Sequence, residues 1–172
     1  DSWLSDDTTK DMVFDAYCLD YGYWWIELTG EKADIIEEYE DIRDELIKCV
    51  YGVWDHIKNR GDHGADNWEL EWVGFLPGKR ESRRYEGDYM LTQQDLSTGR
   101  PFPDVVAYGG WTMDNHLPAG FYAPGYSSHH LPVNAPYPIP YRCLYSRNID
   151  NLMFAGRNIS ASHLAMSSTR VM

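Results

Sequence analysis

The most regular pattern of apolar and polar positions lies between residues 31 and 59. Ile35, Ile36, Tyr39, Ile42, Leu46, Ile47, Val50, Val53, Trp54 and Ile57 recur at steps of three and four, the period of a helix that buries one face. Acidic residues crowd its first half and Lys58 and Arg60 close it, in keeping with the helix dipole. Asn59-Arg60-Gly61 supplies a stop. The spacing predicts one long amphipathic helix over about 31–59, packed against a sheet. Elsewhere the pattern is that of short strands. Residues 17–28 are aromatic-rich and bend about Gly22, residues 68–76 alternate up to the Pro77-Gly78 turn, and residues 104–111 run apolar into Gly109-Gly110.

Thr92-Gln93-Gln94-Asp95 suits a short helix start. From 116 to 140 the chain is rich in Pro, Gly, Tyr and His without helical period, which predicts long loops that carry function or wrap a partner surface. A short strand at 141–145, a turn at 148–151 and a last strand at 152–155 complete the pattern. The fold class that follows is α+β, a mixed or antiparallel sheet packed on the long helix, with extended Pro/Gly/Tyr-rich loops between about 112 and 140.

Composition narrows the function. Of the 172 residues, 43% are hydrophobic and 24% charged, the balance of a soluble globular protein. No run approaches the roughly 18 apolar residues of a membrane helix, and no signal-peptide pattern opens the chain, so no membrane partner is expected. The compartment is not legible, because a start without Met suggests a processed or excised piece. A net charge of −12 argues against nucleic acid, whose binding needs a basic stripe. Cys18, Cys49 and Cys143 form no CxxC motif and are odd in number, so buried free thiols are expected. Aromatic residues reach 15%. They fill cores, and they also stack on sugars and flat ring systems.

The chain contains no GxGxxG, GxxxxGK[ST], HExxH or GxSxG sequence, hence no self-contained nucleotide cradle and no familiar hydrolase centre. His129 and His130 are neighbours that an extended segment points to opposite faces, so no metal site is expected there. The Asn158-Ile159-Ser160 sequon falls in a tight turn, where glycosylation is not expected. The basic run over residues 79–84 is either a surface turn or an anion grip. Residues 151–172 are the sharper signal: a short apolar run ends at Ala155-Gly156, followed by a turn studded with Ser, His and Arg. Gly156 removes a β-carbon where a ligand could approach. Ser168 suits the cap of a helix beginning near Thr169, whose N-terminus would favour negative charge.

Four motifs in order, Gly-Lys-Arg-Glu-Ser-Arg-Arg at 78–84, Tyr-Gly-Gly-Trp at 108–111, Ile-Pro-Tyr-Arg-Cys-Leu at 139–144 and Asn-Leu-Met-Phe-Ala-Gly-Arg-Asn-Ile-Ser-Ala-Ser-His at 151–163, closely resemble the bacterial FAD-dependent oxidoreductase family. Its members are often loosely labelled xanthan lyases. The resemblance implies a two-domain flavoprotein in which a βαβ unit holds the ADP half of FAD. Residues 1–150 would then be the substrate-binding (cap) domain, and 151–172 the returning strand and helix start of the FAD-binding domain. Gly156, Arg157, Asn158, Ile159 and Ser168 would contact the cofactor. Arg80, Arg83, Trp111 and His116 would face substrate, and His163 and Arg170 would be catalytic.

On this reading the chain is a fragment of a parent enzyme that passes hydride equivalents from an organic or carbohydrate-derived substrate to flavin. FAD would be held by the parent, weakly or not at all by the fragment, whose partner would be the remainder of the parent chain. The isolated chain would be inactive. Two other classes stay open: a non-catalytic carbohydrate-binding module, and a metal-dependent lyase using the histidines.

Overall fold

A computed structural model describes residues 26–28, 34–59, 63–79, 83–124 and 128–171. The expected frayed start at 1–10, most of the expected strand at 17–28, Cys18 and Arg80 lie outside them. The chain divides into two units, one of Asp1–Arg80 with Pro118–Ser127, the other of Glu81–Leu117 with Ser128–Met172. The architecture is α+β, with helices and small antiparallel sheets.

The first unit is organised by helix α1, Tyr39–Asn59. Its Cys49, Val53, His56 and Ile57 are buried, at the steps of three and four that the sequence shows. Glu40 and Asp41 occupy its first turn and His56 and Lys58 its last, so charge complements the dipole at both ends. The helix starts later than the expected 31. Asp34 turns the chain first: its Oδ1 accepts from the amides of Ile36 at 2.8 Å and Glu37 at 3.2 Å, and its carbonyl accepts from Glu38 at 2.8 Å. Glu37, Glu38, Glu40 and Asp41 also crowd like charge into one turn, which disfavours a longer helix.

Within this unit the buried stripe of α1 meets Ala65, Ile26 and Phe121. Residues 68–76, expected as a strand, form no ladder among the described residues and bend at 75–76, and Trp72, Phe75 and Leu76 are exposed. Alternation reports a half-buried surface only when a second strand completes it.

The second unit carries the larger core, in which Leu91, Leu96, Met113, Tyr137, Ile139, Cys143, Phe154, Ile159, Ala165 and Met166 cluster. Helix α2, Gln93–Thr98, opens with a capping box: Thr92 Oγ1 accepts from the Asp95 amide, and the Asp95 carboxylate accepts from the Thr92 amide at 2.9 Å. Strands β1, Val105–Gly109, and β4, Tyr137–Pro140, pair antiparallel, as do β2, Met113–His116, and β3, Ser128–Leu131. Residues 112–140, expected as loop, thus hold three strands. Proline masks the pattern in β4. Pro138 and Pro140 are two residues apart, so both missing amides fall on one edge and leave the other for the ladder.

The expected strand at 141–145 is instead a 3-10 turn, Tyr141–Cys143. Arg142 fixes it to the start of β1, donating from Nε and Nη2 to Asp104 at 3.0 and 3.1 Å. The expected last strand at 152–155 reduces to one bridge between Met153 and Tyr145. Single amide bonds stitch three segments here: Phe154 to Leu144 at 2.7 Å, Ser160 to Cys143 at 2.9 Å and Leu91 to Ser160 at 3.0 Å. Gly87 threads between them, where an added β-carbon would stand 2.4 Å from the Arg142 carbonyl oxygen. Cys49 and Cys143 are buried and unpaired, and burial pushes the Cys143 thiol up to about 12, which makes it unreactive.

The α2 cap gives the first test. Thr92→Ala removes one half of the box, and equilibrium urea unfolding should show a loss of about 1 kcal/mol.

Candidate functional site

Strand β2 sets the site. Its register places Asp114 opposite His130 and His116 opposite Ser128, and alternation puts Asp114, His116 and His130 on one face. Asp114 gathers the charge. Its Oδ2 accepts from His116 Nε2 at 2.9 Å and from Arg170 Nη2 at 2.9 Å. Its Oδ1, which has no hydrogen-bond partner, lies 3.6 Å from His130 Nε2. His130 Nδ1 is 3.0 Å from Thr112 Oγ1. The Asp114 and Arg170 side chains are only 14% and 15% exposed, so the pair is largely shielded from solvent. Burial pushes the Asp114 carboxyl up. The hydrogen bond and charge of His116, with Arg170 and His130, outweigh it and hold the group below the usual carboxylate value.

Helix α3, His163–Thr169, brings the remaining groups. Its N-cap is Ser162, whose Oγ accepts from the Ala165 amide, and Ala165 and Met166 enter the core. The expectation that Ser168 caps a helix starting near Thr169 is therefore corrected. Ser168 lies inside α3 near its C-terminal end and is fully buried. Its hydroxyl donates to the Trp111 carbonyl at 2.5 Å, so the Tyr137 hydroxyl, 2.6 Å away, must donate to Ser168. Its hydroxyl is thus committed to Trp111 and Tyr137. It ties the lead-in of β2 to α3 and β4. At the other end of α3, His163 Nε2 meets Asn115 Oδ1 at 3.0 Å. The amide oxygen accepts, so Nε2 carries the proton.

Five residues singled out in the sequence are thus brought around β2. These are Trp111 through its carbonyl, His116, His163, Ser168 and Arg170. Gly156, Arg157 and Asn158 form the 3-10 turn Gly156–Asn158, and Ile159 follows it. Asn158 Nδ2 donates to the Arg83 carbonyl at 2.6 Å, which joins this turn to the basic run. Ile159 is a core residue. Gly156 has φ of 62°, a left-handed value that disfavours any β-carbon. The space beside it is open, with no atom within 4 Å of where a β-carbon would stand. Asp114, Asn115, Thr112 and His130 were not foreseen as site residues. The Thr-Met-Asp-Asn-His alternation at 112–116 carried the signal. Among the described residues no group of three His, Cys, Asp or Glu side chains is arranged to hold a metal.

The sequence pattern of the FAD dependent oxidoreductase family matches residues 6–172, and the chain belongs to that family. Comparison with curated proteins and with solved structures gave no match. The family brings oxidoreductase chemistry and FAD dependence. The turn at 156–158 fits such a cofactor in two respects. Its backbone is open to approach at Gly156, and the neighbouring Arg157 is exposed. Ser160, one turn on, has a buried hydroxyl without a hydrogen-bond partner. No helix among the described residues is long and apolar enough to cross a membrane.

The Asp114 cluster sets a pH dependence. A carboxyl whose folded value is depressed adds stability above its unfolded value, about 3.9, and loses it as pH falls through the folded one. Asp114→Asn should lower the urea midpoint at pH 7, and its gap from wild type should close below about pH 4. A gap independent of pH would contradict the ionised pair.

Proposed function

We propose that this chain supplies the substrate-side and flavin-contacting surfaces of an FAD-dependent oxidoreductase that takes hydride equivalents from an organic substrate. The observation that carries the reading is the convergence of His116, His163 and Arg170 on β2, within a chain matched by the family from residue 6 to 172. Residues 1–150 then form the substrate-binding part and 151–172 the segment returning to the cofactor. FAD, when bound, accepts the hydride equivalents. Gly156 and Arg157 hold its polar chain, through exposed backbone and a guanidinium suited to phosphate oxygens. The sequence has no glycine-rich diphosphate loop, so these contacts assist binding rather than supply most of it.

Arg170, fixed by Asp114, offers positive charge toward the substrate. His163, oriented by Asn115 through Nε2, takes the proton that the substrate loses as its hydride departs. His116, held by Asp114 through Nε2, orients the substrate from the same face. Trp111, with its ring exposed, and Arg83 are the remaining substrate-side groups.

Two measurements test the reading on the protein as produced from its gene. FAD should bind, as followed by its visible spectrum and fluorescence, and Arg157→Glu should weaken binding about tenfold, the value of one charged hydrogen bond. A colourless protein that neither retains FAD nor quenches its fluorescence would end the proposal. With a substrate found by anaerobic bleaching of the flavin band, His163→Gln should slow bleaching about 100-fold while substrate affinity stays within a few-fold. Unchanged bleaching would remove His163 from the proton step.

A further inference from the structure

A groove of about 600 Å³ lies within the first unit, between one face of α1 and segment 68–73. Tyr51, Trp54 and Lys58 line it from the helix at steps of three and four, and Trp68, Glu69, Glu71 and Trp72 from the segment. Its rings are unusually open: Trp72 is 78% exposed, Tyr51 56% and Trp68 44%. Trp72 is nevertheless placed, because its ring lies over Gly74, where an added β-carbon would stand 3.3 Å from it.

The chemistry of the lining selects an occupant. Lys58 is the one cation there, and its Nζ donates to the carbonyls of Ala65 at 3.1 Å, Asp66 at 2.8 Å and Trp68 at 2.8 Å. An ammonium has three protons to give, so Lys58 serves to fix the segment and has none left for an anion. What the groove presents is two exposed carboxylates, which only accept, and aromatic faces. A ligand must therefore bring donors and a flat apolar face, without negative charge. No two of the four rings stack on each other among the described residues. The helix supplies Tyr51 and Trp54 and the segment supplies Trp68 and Trp72, so ring faces are offered from both sides of the groove.

We propose that this groove binds a neutral oligosaccharide, with Trp72 and Trp68 stacking on sugar rings and Glu69 and Glu71 accepting hydroxyl protons. Its volume falls among clefts of small-molecule size, roughly 300–1,000 Å³. The face of a pyranose supplies the C–H surface that an indole covers, and its equatorial hydroxyls supply the donors that the carboxylates take. The proposal rests on residues of the first unit alone and stands whether or not the redox reading does.

The test is calorimetric titration, with tryptophan emission as a second signal, of the whole protein against neutral gluco-, manno-, xylo- and galacto-oligosaccharides, with oligogalacturonate and choline as charged comparisons. At least one neutral series should bind and shift the emission, and oligogalacturonate should not. Trp72→Ala, at a position too exposed to unfold the protein, should weaken binding about tenfold, and Glu69→Gln with Glu71→Gln should weaken it further. FAD binding should be unchanged in these variants. Failure of every neutral series, equal binding by Trp72→Ala, or preference for choline or oligogalacturonate would overturn the proposal.

Discussion

A single carboxylate, that of Asp114, joins three parts of the second unit. It accepts from Arg170 beyond the end of α3, accepts from His116 on its own strand, and faces His130 across the β2–β3 ladder. A charge so placed is costly alone and stable only when its partners are present. Removing one partner from a buried pair costs about 3 kcal/mol. The same geometry makes the site usable for chemistry, because a guanidinium and two imidazoles held on one anion keep their orientation without being held by substrate. Arg170 cannot drift from β2 while Asp114 is ionised.

Packing places that carboxylate. Ala165 and Met166 of α3 enter the core with Met113 of β2, so apolar packing holds helix and strand side by side where the charges pair. Ser168 then closes the polar contacts of the strand's lead-in, taking the Tyr137 proton and giving its own to the Trp111 carbonyl. Burial pushes the Tyr137 phenol up, which keeps it a donor throughout the neutral range. Polar side chains thus seal the interface of α3, β2 and β4, and the functional groups emerge at its rim. The turn at Gly156–Asn158 is held from the other side by Asn158, through the Arg83 carbonyl.

Much of this was legible in the sequence, for local reasons. The three-and-four spacing of α1, the Thr92/Asp95 pairing of α2 and the apolar run of β1 each depend on residues close in the chain. The helix start was not legible, because the turn is set by the Asp34 side chain where periodicity already looks helical. The strands at 113–116, 128–131 and 137–140 were not legible either. Proline spacing hides the last, and the other two exist only as each other's partners. His163 and Arg170 stood out as polar residues in a serine-rich turn, and His116 entered through the family resemblance. Asp114 and Asn115 did not, since their roles arise from β3 and α3, distant in sequence. Ser168 was misread because a serine before an apolar stretch resembles a cap, whereas the earlier Ser162 takes that place.

The account rests on Asp114 and Arg170 acting as a pair rather than as two separate stabilising residues. A double-mutant cycle with Asp114→Asn, Arg170→Gln and the combined variant, followed by urea unfolding at neutral pH, measures this directly. The pair predicts a coupling energy above about 1 kcal/mol, with the double variant less damaged than the sum of the two. Additive losses within about 0.5 kcal/mol would contradict it.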